Sequence, residues 1–192
     1  GDRPAALADL MGIILNDGVR LPSVRIDNLH FAQGTPYETR MGLATGTGKR
    51  VMPVEVARAL QDALANVVEG GTARRLQGSF VQQDGSALRM GGKTGTGDNR
   101  IQSVGAGGRL ISSLALNRTA TFVFYLGPNH FGTLTAYVPG RAADSFRFTS
   151  ALPVQTLKGM APLLQPYLQG QNTLCRPENL PALTSGMLSA EK

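Results

Sequence analysis

Residues 89–100 read RMGGKTGTGDNR, which places four glycines, two threonines and a lysine within twelve positions. Three readings compete for such a segment. A phosphate-cradling loop needs Gly, four residues, then Gly-Lys-Ser/Thr at the start of a helix, so that backbone N–H groups wrap the anion. Gly92-Lys93-Thr94 supplies the end of that pattern, but Ala87 stands where its first glycine belongs, and the GTGDNRIQSVGAGG that follows is a poor helix. Gly48-Lys49 fails in the same way, with Leu43 at the glycine position and Arg50 after the lysine. The second reading is a glycine-rich strand end with no chemistry. The third is an extended edge that holds an anion. Successive side chains on a strand point to opposite faces, so Lys93 and Thr94 diverge, and Gly95 bares the backbone to a close neighbour. An ammonium and a hydroxyl can hold a carboxylate, and a backbone N–H just past the glycine can point at a developing oxyanion.

The other reactive side chains offer less. Cys175 is the single cysteine and makes no internal disulfide. His30 and His130 lack metal-ligand spacing. The net charge is +6 and the sequence pI near 10.0, yet the basic residues are scattered, with Lys49-Arg50 and Arg74-Arg75 the densest pairs, and Trp is absent. Without a basic run or an aromatic-interleaved stripe, nucleic acid is not an expected partner. No run approaches the roughly 18 apolar residues of a membrane span, and GDRPAALADL lacks the basic start and cleavage pattern of a secretion signal.

The elements that must position this edge can be read from patterning. RPAALADLMGIILNDG carries Pro4 at a helix start and Gly18 past its end, with Leu7, Leu10, Met11 and Ile14 at helical spacing. SVRIDNLHFAQG reads as a strand or a two-part extended segment, and GTPYETRMGLATGTG as a loop. MPVEVARALQDALANVVEGG is the clearest helix, with a Val56, Leu60, Leu64, Val67 stripe ended by Gly70-Gly71; TARRLQG adds a short helix. SFVQQDGSALRMGGKTGTG reads as two strands about Asp84-Gly85, and TATFVFYLG with FGTLTAYVPG as a second hairpin. ALPVQTLKGMAPLLQPYLQG returns to helix with a kink or break at Pro162. The plan is α+β: an antiparallel sheet flanked by helices in residues 1–170, then an irregular tail over 171–192.

More than the lysine motif carries a family resemblance. RMGGKTGTGDN, residues 89–99, resembles the third active-site strand of penicillin-binding protein transpeptidase domains, whose Lys-Thr-Gly works with Ser-x-x-Lys and Ser-x-Asn elements. VMPVEVARALQDALANVVEGGTARRL resembles the helix and Gly-Thr-Ala segment that precede this strand in the class A enzymes. TATFVFYLGPNHFGTLTAYVPG resembles their next two strands, and FTSALPVQTLKGMAPLL their C-terminal helix. Order and approximate spacing agree over residues 53–168. The resemblance implies part of a penicillin-binding transpeptidase or β-lactamase-like fold, and roles follow for individual residues. Lys93 would belong to the site's lysine cluster and move protons. Thr94 and Thr96 would bind the terminal carboxylate of a D-alanyl stem peptide of peptidoglycan or of a β-lactam. The Thr96 N–H would complete the oxyanion hole, which makes Lys93 and Thr96 the catalytic residues. Gly95 would leave room for an extended substrate, and Gly92 and Gly97 would be structural. Such acyl transfer needs no metal and no organic cofactor.

The nucleophile is missing. Of ten serines only Ser189, in the terminal SAEK, has lysine three positions on, and none has asparagine two positions on. A nucleophile needs a rigid site with its base beside it, which a chain end does not offer. The expectation is the C-terminal portion of a longer peptidoglycan D-alanyl transpeptidase, inactive alone and partnered by the N-terminal part of its own protein. The resemblance implies a periplasmic or extracytoplasmic location, with the membrane reached only through an N-terminal anchor outside these residues. The alternative is a non-catalytic regulatory module that binds peptide or β-lactam.

Overall fold

The computed structural model describes residues 3–24, 26, 28–42 and 46–169; the tail expected over 171–192, with Cys175 and Ser189, lies outside them. Helix α1 (Pro4–Leu15) carries Pro4 in its first turn, where the missing N–H has no intrahelical partner to lose. Its exit turns at Asp17 and Gly18, both with positive φ (50° and 85°). Gly18 is required twice over there, because a Cβ would also lie 2.2 Å from the carbonyl oxygen of Met52. Two-residue strands β1 (Val19–Arg20) and β4 (Lys49–Arg50) pair antiparallel. Between them β2 (Asn28–Phe31) and β3 (Thr39–Gly42) form a hairpin, so the segment read as loop contains a strand. Polar contacts close this hairpin. Glu38 accepts from the Gly34 N–H at 3.0 Å and sits 2.7 Å from His30 Nε2, and Thr35 Oγ1 donates to Ala32 O. Apolar alternation could not have announced it, since β3 is exposed at every residue.

Helix α2 (Val54–Glu69) follows Pro53 and ends at Gly70. Its buried residues are Ala57, Ala65 and Val68, a rotation from the stripe read in sequence, and Val56 is 46% exposed. Small residues face inward because strand and helix backbones nearly touch: a Cβ on Gly91 would meet Ala65 N at 2.7 Å. A short 3₁₀ turn, Arg74–Leu76, follows. The hairpin expected about Asp84-Gly85 shrinks to one bridge, Val81 to Ala87, closed by Asp84 Oδ1 accepting from the Ser86 N–H and hydroxyl.

Strands β5 (Met90–Val104), β6 (Leu110–Leu126) and β7 (His130–Pro139) form an antiparallel sheet in that order. The expected last hairpin is present, but β5 and β6 run further than their patterning suggested. Since β7 pairs only with Asn117 to Leu126, the distal part of β5–β6 continues as a two-stranded ribbon, offset by register shifts at Asn99/Arg100 and Ser103/Val104. The final helical segment breaks into α3 (Ala151–Gly159) and α4 (Ala161–Leu168), with Pro162 in the first turn of α4.

Helices cover both faces of the sheet, as the α+β reading required. One face carries the main core: Met90, Phe122 and Leu126 packed with Leu76, Phe80, Val154 and Leu157. On the other face Phe131 lies against α1 so closely that a Cβ on Gly12 would sit 2.6 Å from its ring, and the Tyr125 hydroxyl donates to Gln61 O in α2.

Two measurements test this core and the β2–β3 hairpin. Phe80 is fully buried, so Phe80→Ala should cost about 3–5 kcal/mol in urea unfolding; a loss under about 1 kcal/mol would contradict the core assignment. Glu38 has its pKa lowered from 4.5 to about 2, first by the Gly34 N–H, then by His30 and Arg40. A depressed folded-state pKa means a stabilisation present above pH 4.5 and lost as pH falls towards 2. Amide exchange across β2–β3 should therefore quicken over that window, and Glu38→Gln should abolish the pH dependence.

Candidate active site

Strand alternation divides the lysine motif as the pleat demands. Gly91, Lys93 and Gly95 share a face with their partners Tyr125, Val123 and Thr121, while Gly92, Thr94 and Thr96 share the other with Phe124, Phe122 and Ala120. Thr94 is only 9% exposed, and its hydroxyl lies 2.7 Å from that of Thr72 in the turn after α2. Thr96 is exposed, and its Oγ1 accepts the Ser150 N–H at 2.8 Å, just ahead of α3. Lys93 is exposed, and its Nζ donates to Thr94 O at 2.7 Å.

The glycines of the motif do different work. A Cβ on Gly92 would meet Val123 O at 2.4 Å and the Phe122 ring at 2.7 Å, so Gly92 is a packing residue, as expected. A Cβ on Gly95 would have nothing within 4 Å, which leaves the backbone there open to a neighbour. Gly97 has the same open space, and packing gives no reason for the structural role expected of it.

Among the described residues β5 has a strand neighbour on one side only. Its motif end is braced by α2, where Arg89 Nη2 donates to Asp62 Oδ1. A cleft of about 380 Å³, lined by Gly71, Thr72, Arg74, Arg75 and Ala151, opens beside the threonine face. A hollow of about 400 Å³ near the β6–β7 turn, lined in part by Asp84, His130 and Leu168, shares no residue with the motif. The chemistry is thus an unpaired strand edge with an ammonium, a hydroxyl and open backbone, suited to an extended ligand with an anionic end. No group of three or more His, Cys, Asp or Glu among the described residues could hold a metal.

Sequence reasoning did not single out Thr72 or Ser150. They lie 22 and 54 positions from the threonines they touch, and no local spacing signals such contacts.

No family model and no curated protein matches this sequence. Solved structures do. Penicillin-binding protein 3 from Mycobacterium tuberculosis, complexed with aztreonam, matches over 83% of this chain at 23% identity with a TM-score of 0.50. Penicillin-binding protein 2B from Streptococcus pneumoniae matches over 85% at 18% identity, also with a TM-score of 0.50. The fold is that of part of a penicillin-binding protein transpeptidase domain. The chain spans 34% and 25% of the lengths of those two proteins. Within this transpeptidase fold it contributes a three-stranded sheet with helices on both faces.

The two glycine classes predict opposite responses. Gly92→Ala should destabilise the chain by about 1–3 kcal/mol through overpacking, whereas Gly95→Ala should stay within about 0.5 kcal/mol of the parent. Equal losses in denaturant titration would refute the division.

Proposed function

We propose that this chain carries the substrate-holding strand of a peptidoglycan D-alanyl transpeptidase. The observation that carries the reading is Lys93 to Thr96 on a strand with one open side, with nothing within 4 Å of a side chain placed at Gly95. A D-alanyl peptide would lie along that edge as an added strand, its carboxylate towards the Thr94 and Thr96 side. The neighbour solved with aztreonam supports a β-lactam as an alternative occupant of the same edge.

The reaction needs a serine from polypeptide outside these 192 residues, since no Ser-x-x-Lys suitable for a nucleophile occurs within them. Its Oγ would attack the carbonyl carbon of the penultimate D-alanine. The Oγ proton is carried away through the lysine cluster that includes Lys93, and the oxyanion is met by the Thr96 N–H. The peptide bond then breaks, terminal D-alanine leaves with a proton on its nitrogen, and an acceptor amine displaces the serine ester to form the cross-link. Each step is acyl transfer, so no redox group takes part. The proposed location is the extracytoplasmic side of the cell membrane. No described helix is long and apolar enough to cross one.

Fluorescent penicillin tests the proposal. The chain alone should give no covalently labelled band at its mass of 20.3 kDa, while the longer protein with its upstream polypeptide should label. In that protein Lys93→Ala should slow labelling by about 10²–10⁴-fold, the range for a lost proton-transfer group. A longer protein that binds penicillin reversibly and never forms an ester would instead be the non-catalytic module.

A further inference from the structure

The lysine motif presents an electrostatic problem. Lys93 lies on the opposite face of β5 from Thr94 and Thr96, and its Nζ is turned onto Thr94 O. An anion lodged against the threonine face therefore needs positive charge from another element. Arg118, two rungs further along β6 on that same face, is already engaged: its Nε donates to Phe148 O at 2.8 Å and its guanidinium stacks 5.5 Å from the Phe148 ring centre.

The geometry points to Arg74 and Arg75 as the anion-holding pair, a specificity element that recognises the carboxylate end of an extended peptide on β5. Both line the cleft with Thr72 and Ala151. Thr72 is hydrogen-bonded to Thr94, and Ala151 follows Ser150, whose N–H is bonded to Thr96. The cleft is thereby tied at two points to the threonine face. Both arginines are exposed, and among the described residues no carboxylate pairs with either guanidinium. Arg58 and Arg100, by contrast, are already engaged, the first by Asp17 and the second by Asp98 and Asp144. Guanidinium groups suit a carboxylate because two parallel N–H donors match its two oxygens. The Thr72–Thr94 hydroxyl pair would then orient the anion, while the arginines supply its counter-charge. This inference rests on the proposed peptide-binding role of β5.

The test uses the full 192-residue chain with the probe diacetyl-L-lysyl-D-alanyl-D-alanine and, as a control, the same peptide with its C-terminus amidated. Amide shifts of residues 93–96 and of Thr72 report binding. The carboxylate peptide should shift both groups, and the amidated one should bind at least ~5-fold more weakly, as expected on losing two partly exposed charge contacts. Arg74→Gln/Arg75→Gln should weaken the carboxylate peptide to the level of the amide and erase the difference between them. Arg118→Gln should preserve that difference, and unchanged cross-strand shifts of β5–β6 would certify that each variant is folded. If the double variant still prefers the carboxylate as the parent does, the arginine assignment is wrong while the binding strand stands. If neither peptide shifts residues 93–96, both this inference and the proposed role of β5 fall.

Discussion

The molecule depends on how closely β5 is held between β6 and α2. Two adjacent glycines make that possible, one for each face. Gly91 lets the strand lie against the Leu64–Ala65 backbone of α2, and Gly92 lets it lie over Phe122 and Val123 of β6. A side chain at either would push the strand away from its support. The motif residues that follow are accurate only because the two before them have no side chains. Close packing thus fixes the start of the strand, and ordinary pleating then distributes Lys93, Thr94, Gly95 and Thr96 between its faces.

The same constraint explains the composition of α2. A helix that approaches a strand backbone this closely must show small residues to it, and Ala57 and Ala65 are buried there, while Val68 near the helix end is buried in the main core. Its larger apolar residues, Leu60, Leu64 and Val67, are half-buried at the margin of that contact. Beyond the helix the chain turns through Gly70 and Gly71, and Thr72 arrives within hydrogen-bond reach of Thr94. On the far side of the strand face, Ser150 joins Thr96 to the start of α3. The threonine face is therefore clamped from both sequence directions, while the Lys93–Gly95 face and the outer edge stay open. Rigid support on one side and access on the other is what a surface that orients an extended ligand requires.

The β5–β6 ribbon contrasts with this braced region. It runs past the end of β7 and carries Ile101, Val104, Leu110 and Ile111 in solvent-exposed positions, each more than half exposed. Its two register shifts fall at the point where the sheet narrows from three strands to two and near the far turn, which is where altered twist is least constrained by neighbours.

Much of the framework was legible in the sequence. Pro4, the Gly70-Gly71 stop, the β6–β7 hairpin around Pro128-Asn129, and the break at Pro162 are local statements, because proline restricts its own backbone and glycine tolerates conformations that end a helix. Alternation also determined that Lys93 and Thr94 would face opposite ways. Three things were decided only in the tertiary structure. The β2–β3 hairpin is held by Glu38, His30 and Gly34, polar contacts without a periodic signature. The buried side of α2 was set by a glycine 26 positions from Ala65, outside any helical window. The partners of Thr94 and Thr96, and the arginine-lined cleft beside them, come from segments brought together by packing. Periodicity reports which face of an element is apolar, because burial acts on each residue in turn. It cannot report which distant hydroxyl or guanidinium will stand opposite, because that depends on the mutual placement of elements that only the folded core sets.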